Sequence, residues 1–353
     1  MIRIDGSMGE GGGQILRTAL ALSVLTNQPF EIFNIRARRS NPGLQPQHLA
    51  SVLAAAKVSG AEVEGAVKGS TRLIFKPRGI RCGDYNIDVG TAGSVSLVLQ
   101  TLLPIFSIAP CSLVNIEVIG GTDVAKAPPI DYVRFVLAHN LKLLGVDVKV
   151  ELIKRGHYPR GGGRVKVTVK PAERLRGINI TELGEITYIR GISHAVRLPS
   201  HVAVRQAQSA KDYLAKRGFR AEIDLEYYEP SKDPHLGPGS GITLWAESRN
   251  GQRIGADALG ERGKPAEVVG REAAEALLKV IDSGASFDEH MGDMLIPYLA
   301  LASGNSEFTT PSLTSHLSTN IEVVKMFVNT DVGVTPLNGR VKVSVKGIGL
   351  SLK

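Results

Sequence analysis

The sequence predicts an α/β (α+β) fold in which three repeated modules, each with two helices and four strands, form a large domain. Short apolar runs alternate with stretches of helical periodicity along the chain. One order of elements recurs three times: strand, loop, helix, strand, loop, helix and two strands, which is typical of packed supersecondary repeats. The third copy is interrupted, so we expect a large domain of residues 1–183 and 284–353 and a small inserted α/β domain of residues 184–283.

The bulk composition is that of a water-soluble globular protein, since 43% of its 353 residues are hydrophobic and 22% are charged. No run of about 18 apolar residues occurs, so we expect no membrane-spanning helix. The net charge of +8 suits a polyanionic partner such as RNA. Because this charge is spread along the chain, a solvated basic surface explains it equally well.

The cysteines and the N-terminus predict a cellular setting. The chain opens directly with a strand, so no signal peptide is expected. Cys82 and Cys111 have no metal-ligand spacing. Together these features predict a cytoplasmic protein in which both cysteines are reduced core thiols.

The first module begins with a strand at residues 2–4, a loop with five glycines at residues 6–13, and a helix at residues 14–25. This layout lets backbone N–H groups and a helix N-terminus bind phosphate. Glu10 is a candidate metal ligand, and Arg17 is a candidate phosphate contact. The loop matches neither common glycine-rich nucleotide fingerprint, so a plain tight turn is an equally good interpretation.

A basic loop follows the second strand of this module. It contains Arg36, Arg38 and Arg39, whose planar guanidinium groups suit phosphate, although a solvated loop is an equal alternative. Gln47 and His48 lie at the start of the next helix, where anions are favoured. The remaining elements are predicted at residues 30–35, 46–59, 61–65 and 72–75.

The second module repeats this order, and its second loop, residues 120–129, ends in Pro128 and Pro129. Prolines favour helix starts, but a proline ring can also form one wall of a slot for a flat base. His157 lies in a basic, glycine-rich loop that is interpreted as a hairpin turn. The elements are predicted near Tyr85 and at residues 94–108, 113–119, 130–144, 146–153 and 163–170.

The third module and the insertion complete the chain. The module is predicted to have strands at residues 177–181, 306–309, 333–336 and 341–345 and helices at residues 288–301 and 317–328. The insertion is predicted to have strands at residues 186–193, 220–228, 242–247 and 253–259 and helices at residues 200–217 and 265–280.

Two helix starts in the third module carry candidate chemistry. His290 and Asp293 are three residues apart on one helix face, where an imidazole can stack on a base and a carboxylate can accept ribose hydroxyls. The alternative is that acidic residues simply complement the helix dipole.

His316 begins the next helix, whose N-terminus lowers the imidazole pKa and favours a neutral nucleophile. Alternatively, Ser315 or Ser318 caps this helix and His316 is incidental. Lining up the modules places His48 opposite His316.

Five motifs together resemble the RNA 3′-terminal phosphate cyclase family over the whole chain. They are Asp5-Gly…Gly9-Glu-Gly-Gly-Gly-Gln-Ile-Leu-Arg17, Arg36-Ala-Arg-Arg…Pro42-Gly-Leu, Gly120-Gly-Thr-Asp…Ala127-Pro-Pro129, Gly156-His-Tyr-Pro…Gly-Gly-Gly163 and Ser315-His-Leu-Ser-Thr-Asn320. The family's fold is similar to the three-module arrangement and to that of enolpyruvyl transferases. The resemblance implies a ligase that uses ATP and Mg²⁺ or Mn²⁺ to convert an RNA 3′-phosphate to a 2′,3′-cyclic phosphate through histidinyl-AMP and RNA-adenylate intermediates, releasing pyrophosphate and AMP.

The same resemblance implies roles for individual residues. His316 matches the nucleophile, Glu10 the metal ligand, and Asp293 the ribose contact. His290 stands where the family often has a tyrosine stacked on adenine, and Met294 replaces a common glutamine, which puts nucleotide preference in doubt. Phosphate or RNA contacts are expected from Arg17, Arg36, Arg39 and Gln47, and further ATP contacts from Gln100, Pro128, Met291 and Gly292.

Two other functions are consistent with this architecture. One is a non-catalytic RNA-binding protein of ribosome assembly, which would lack the nucleophile that His316 supplies here. The other is an enolpyruvyl transferase, which would form no covalent adenylate. For the favoured function we expect RNA 3′-phosphate ends and ATP as partners and no membrane. Whether the chain forms a homo-oligomer is left open.

Overall fold

The computed structural model describes residues 1–352, and its first module has the predicted order of elements. They are β1 (Ile2–Asp5), α1 (Gly13–Thr26), β2 (Phe30–Phe33), α2 (Pro46–Ser59), β3 (Glu62–Glu64) and β4 (Leu73–Lys76). The sheet order is β1-β2-β4-β3, with β1 parallel to β2 and the other pairs antiparallel. Gly60 ends α2 in the left-handed region at φ 62°, as the sequence predicts.

The second module has the same topology, with sheet order β5-β6-β8-β7. Its elements are β5 (Asp84–Asp88), α3 (Val95–Ser107), β6 (Val114–Gly120), α4 (130–144), β7 (Asp147–Lys154) and β8 (Gly163–Lys170). The helix α4 is not uniform, because a π-helical turn, Val133–Leu137, interrupts it. Such turns are rare and re-aim side chains at functional or packing sites.

The third module is divided by the insertion. Its first strand, β9 (Asn179–Ile180), precedes six inserted elements: β10 (Ile186–Val196), α5 (His201–Ala215), β11 (Ala221–Tyr227), β12 (Gly239–Ser248), β13 (Arg253–Leu259) and α6 (Ala266–Ser283). The module resumes with α7 (Glu289–Leu301), β14 (Ser303–Thr310), α8 (Ser315–Phe327), β15 (Val332–Leu337) and β16 (Arg340–Ile348). Its sheet order, β9-β14-β16-β15, repeats that of the other modules. The predicted fold class is therefore confirmed.

The helices of the three modules pack together inside their sheets. Helix α1 is buried along residues 15–25 and contacts α3 and α8, so helices from all three modules meet at its surface. A helix that is apolar on all sides is typical of such a central position. One large hydrophobic cluster spans the three modules.

A second cluster spans Leu183 to Ile281, which supports the predicted inserted domain, although the exact boundaries stay a proposal.

The inserted segment rests on the π-helical turn of α4. The Phe135 ring stacks on Trp245 of β12, with centroids 4.4 Å apart and the planes 4° from parallel. Arg253 of β13 donates to the Phe135 carbonyl oxygen at 2.9 Å. The irregular turn thus presents both an aromatic face and a carbonyl group to the insertion.

The prediction of reduced core thiols is wrong. Cys82 and Cys111 form a disulfide, with Cα atoms 5.6 Å apart, and Cys82 is exposed rather than buried. The fold brings the two residues together because β5 and β6 are paired, which places the chain segments before these strands side by side. Among residues 1–352, no helix is both long and apolar enough to cross a membrane.

Candidate active site

A cleft of about 760 Å³ lies where the three modules meet. Side chains from each module and one from the inserted segment line it. Eleven predicted site residues lie in this cleft: Glu10, Arg17, Arg36, Arg39, Gln47, Gln100, Pro128, His290, Asp293, Met294 and His316. The repeat topology therefore brings together residues that are more than 300 positions apart.

The glycine loop between β1 and α1 forms the floor of the cleft. Gly9 has φ 53°, and a Cβ atom there would lie 2.2 Å from Thr319 Oγ1 of α8, so a side chain has no room. The α1 N-cap is Gly12, which has no side chain to satisfy the free N–H groups of the first helical turn. These N–H groups therefore remain available to an anion in the cleft.

His316 occupies the second position of α8 and points into the cleft. Thr314 caps this helix, because its Oγ1 accepts from the Leu317 N–H at 2.9 Å, so neither Ser315 nor Ser318 is the cap. The His316 side chain is 45% exposed, and its Nε2 lies 3.5 Å from Glu10 Oε2. An imidazole buried in the core or turned away from the glycine loop would have contradicted a nucleophilic role.

The surroundings of His316 favour its neutral form. Partial burial lowers the pKa of this imidazole below its ordinary value, and the Arg17 guanidinium lowers it further, against the opposing effect of Glu10. Near neutral pH the ring therefore keeps a lone pair for attack on an electrophile.

Glu10 is an ionised carboxylate at the edge of this site. It accepts hydrogen bonds from Ser315 Oγ and, at 3.5 Å, from Arg39 Nη2. The bond from Ser315 lowers the pKa of Glu10 below its ordinary value. One carboxylate beside a phosphate-binding loop fits the way Mg²⁺ is held, since this ion keeps several waters and takes its other ligands from substrate phosphates.

The wall formed by α7 carries an acid of a different kind. His290, Asp293 and Met294 share one face of this helix, and Met294 Sδ accepts from Gln100 Nε2 at 3.4 Å. Burial raises the pKa of Asp293 to about 7, although Thr314 Oγ1 donates to it at 2.6 Å. Thr314 thus links the acid of α7 to the helix that carries His316.

Comparisons with known proteins decide the family. The family model described as RNA 3′-terminal phosphate cyclase matches residues 8–334. An RNA 3′-terminal phosphate cyclase of Caldivirga maquilingensis is 72% identical over 99% of this chain and 98% of its own length. Proteins of that name from Pyrobaculum neutrophilum and Methanopyrus kandleri are 56% and 52% identical over at least 96% of both chains.

The chain belongs to the RNA 3′-terminal phosphate cyclase family. The family assignment drawn from the five motifs is thereby confirmed, as is the assignment to an enzyme of the ligase class. The similarity to enolpyruvyl transferases stays a prediction.

Two expected cyclase residues do not reach the cleft. Met291 is fully buried in the large hydrophobic cluster. Gly292 faces Thr310, whose Oγ1 would lie 3.2 Å from a Cβ atom at that position. Both lie on the side of α7 that packs against the protein, whereas His290, Asp293 and Met294 face the cleft. A role for either residue in ATP binding stays a prediction that this geometry does not support.

The sequence analysis missed several residues that line the cyclase cleft. Asp257 of β13 comes from the inserted segment, and burial raises its pKa to about 6. Lys126 lies in the loop before α4 and has φ 63°, a left-handed value that the predicted cleft residue Arg36 shares at φ 54°. Strained backbone at cleft residues is typical of functional sites. Lys126 could have been found from the sequence, because it is a charged residue flanked by small and turn-forming residues. Asp257 lies in an ordinary strand, and no sequence pattern marks it as a site residue.

The predicted pairing of His48 with His316 is off by one residue. Counted from the helix caps Gln45 and Thr314, the residue that corresponds to His316 is Gln47. His48 instead completes the cap of α2, because its Nδ1 accepts a hydrogen bond from the Gln45 N–H at 3.2 Å. Burial lowers the pKa of His48 to about 3, so its ring is neutral and Nε2 carries the proton toward Gly13 and the cleft.

Proposed function

We propose that this chain uses ATP to convert the 3′-terminal phosphate of RNA to a 2′,3′-cyclic phosphate, with His316 as the covalent nucleophile. The observation that carries the proposal is the position of the His316 imidazole at a helix N-terminus, in one cleft with the glycine loop and Glu10. No comparable arrangement is needed for simple RNA binding. The family names of the relatives agree with this activity.

The first step forms a bond between a His316 ring nitrogen and the α-phosphorus of ATP and breaks the bond to pyrophosphate. The free N–H groups of α1 and the guanidinium groups of Arg17, Arg36 and Arg39 surround the space for the triphosphate. They stabilise the negative charge that passes to the leaving pyrophosphate. A divalent cation held by Glu10 would neutralise phosphate charge.

The second and third steps transfer and then release AMP. An oxygen of the RNA 3′-phosphate attacks the adenylyl phosphorus, and the P–N bond to His316 breaks. The RNA phosphate now carries a good leaving group, so the adjacent 2′-hydroxyl attacks it, loses its proton and expels AMP. Dividing one difficult substitution into three easier ones is the advantage of the covalent intermediate.

The nucleoside part of ATP would occupy the side of the cleft between α4 and α7. Pro128 and the exposed His290 ring supply two candidate walls for adenine, and Gln100 supplies an amide beside them. Asp293 is placed on the same helix face as His290, where its carboxyl group can bond ribose hydroxyls.

Covalent labelling tests the proposal. With ATP labelled on the α-phosphate and Mg²⁺ or Mn²⁺, we expect the protein to acquire an acid-labile, alkali-stable label. His316→Ala should reduce the labelling rate by roughly a thousandfold or more, because the nucleophile is gone. His201→Ala is the matched control, since His201 is exposed on α5 and far in sequence from the cleft residues.

The outcomes separate three conclusions. Label retained by the His316→Ala variant would reject this nucleophile. No label on the unmutated protein with either metal would reject the adenylation chemistry and favour the non-catalytic RNA-binding alternative. Equal loss in the His201→Ala variant would show that the assay reports folding rather than chemistry.

A further inference from the structure

A second group of histidines lies outside the cleft, at the contact between the second module and the inserted segment. Asp123 lies in the loop after β6, His157 in the β7–β8 hairpin and His194 in β10. They are 2%, 7% and 2% exposed. One possible ligand atom from each residue lies within 4.8 Å of those of the other two. We propose that Asp123, His157 and His194 bind a Zn²⁺ ion that joins the inserted segment to the second module.

The spacing of the two imidazoles fits a shared ion. The Nε2 atoms of His157 and His194 are 3.2 Å apart. Two nitrogen ligands of a tetrahedral zinc ion, each about 2.0–2.1 Å from the metal, are separated by about 3.3 Å. The distance also suits an N–H···N hydrogen bond, so the choice between the two rests on the surroundings.

The ring nitrogens of this group have an excess of unused lone pairs and N–H groups. In the described part of the chain, the Nε2 atoms of His157 and His194 bond only to each other. His194 Nδ1 has no partner, although the ring is buried. The neighbouring His235 directs Nδ1 to Asp233 at 2.7 Å and leaves Nε2 buried without a partner. The proposed ion would bind the two Nε2 atoms, so the unpartnered His194 Nδ1 and His235 Nε2 are not its ligands and show only that this contact contains unused polar atoms.

The charge around the rings also favours a bound cation. Arg155 donates hydrogen bonds to three carboxylates, those of Asp123, Asp131 and Glu226. Arg134 adds a second positive charge on Asp131, so the carboxylates still exceed the guanidinium groups. Glu226 is 25% exposed, so water screens part of this excess, whereas Asp123 and Asp131 are buried and their charge must be compensated inside the protein.

Asp123 retains a free position for a metal. Its Oδ2 accepts from Thr122 at 2.6 Å and from Arg155 at 3.2 Å, whereas its Oδ1 accepts only from Arg155 at 3.2 Å. Since each carboxylate oxygen has two lone pairs, Oδ1 has one left for coordination.

The ligand set selects the kind of ion. Two imidazoles and one carboxylate suit zinc, whereas Mg²⁺ prefers oxygen ligands only. The proposed site is therefore chemically distinct from Glu10. The ion would also fix two parts of the cleft, since Asp123 shares its loop with Lys126 and Pro128, and the inserted segment supplies Asp257.

Metal analysis tests the site. After expression with zinc and gel filtration, we expect one Zn²⁺ per chain by elemental analysis in the unmutated protein and in the Glu10→Ala and His201→Gln variants. The double variant His157→Gln/His194→Gln should contain no more zinc than the buffer. Loading the metal-free protein with Co²⁺ should give the visible absorption of a tetrahedral site, and a strong chelator should lower the unfolding temperature of the zinc-loaded unmutated protein.

A measurement on the unmutated protein guards against misfolding of the double variant. In the Co²⁺-loaded protein, two hyperfine-shifted exchangeable imidazole protons should appear in the NMR spectrum. Absence of both zinc and a tetrahedral Co²⁺ band from the unmutated protein would overturn the proposal. So would zinc that disappears with Glu10→Ala but persists in the double variant, because it would then lie in the cleft.

Discussion

The second and third modules use the same helix position in opposite ways. In both, the second residue after the cap of the second helix lies in the first helical turn, and it is Asp131 in one module and His316 in the other. Asp131 is fully buried against Arg155, whereas the His316 side chain is 45% exposed in the cleft. The repeat therefore supplies a helix N-terminus in each module, and the presence or absence of a covering chain segment decides how that N-terminus is used.

The inserted segment makes the difference. Glu226 of β11 accepts a hydrogen bond from Arg155 at 2.7 Å, so the inserted segment covers the place where Asp131 is buried. No element covers the start of α8 in the described structure, so His316 faces the cleft. We infer that a buried ion-pair network joins the inserted segment to the second module, and that the proposed metal ligand Glu10 and nucleophile His316 belong to the first and third modules.

The largest effect should come from breaking the buried network. Arg155→Leu removes the partner of three carboxylates, and we expect a loss of about 3–5 kcal/mol in the free energy of unfolding, because uncompensated charges stay buried. Arg164→Leu is the matched control, since water screens its ion pair with Glu117 and the loss should be much smaller. Urea unfolding measures both. Equal losses of unfolding free energy in the two variants would contradict a stabilising role for the buried network of Arg155.

The third module should instead show an acid that is costly to ionise. The pKa of Asp293 is raised from 3.8 to about 7, so this residue stabilises the fold at low pH and loses that contribution as pH rises through 7. Asp293→Asn keeps the acceptor for Thr314 but cannot ionise. Relative to the unmutated protein, it should gain on the order of 3 kcal/mol between pH 5 and pH 8. Urea unfolding at the two pH values decides, and a pH-independent difference would place the pKa near its ordinary value.

The smallest effect is expected at the corresponding position of the first module. Gln47 stands at the second residue of α2 and lines the cleft, so we expect its amide to donate to a phosphate. Gln47→Ala should lower kcat/KM for adenylation roughly ten- to a hundredfold, the effect of losing one hydrogen bond to a charged group. The exposed Gln208→Ala on α5 is the control. An unchanged rate would show that the Gln47 amide does not contact the phosphate.

The sequence predicted the modules well because their strands and helices are set by local periodicity and by loop residues such as Gly60 and Pro129. It also placed His316 correctly at a helix start. The predicted alignment of the first and third modules is wrong by one residue. The cap of α2 is Gln45, and glutamine is not a favoured N-cap residue.

Local sequence patterns could not predict contacts between residues that are distant in the chain. The disulfide of Cys82 and Cys111 depends on how two strands pair, and Asp257 reaches the cleft only through the docking of the inserted segment. The buried position of Met291 follows from the rotation of α7 against its neighbours, which helical spacing alone did not determine.

The division of the third module has a consequence for how the protein is made. Strand β9 pairs with β14, so the 122 residues between Ile180 and Ser303 must leave the ribosome before this sheet can begin to form. The first two modules leave the ribosome earlier, but the hydrophobic cluster that spans all three modules is complete only after the third has been made. Helix α8 follows the insertion in the chain, so we expect His316 to reach its neighbours only after the inserted residues have been made, and a shorter nascent chain to be unable to form the adenylate.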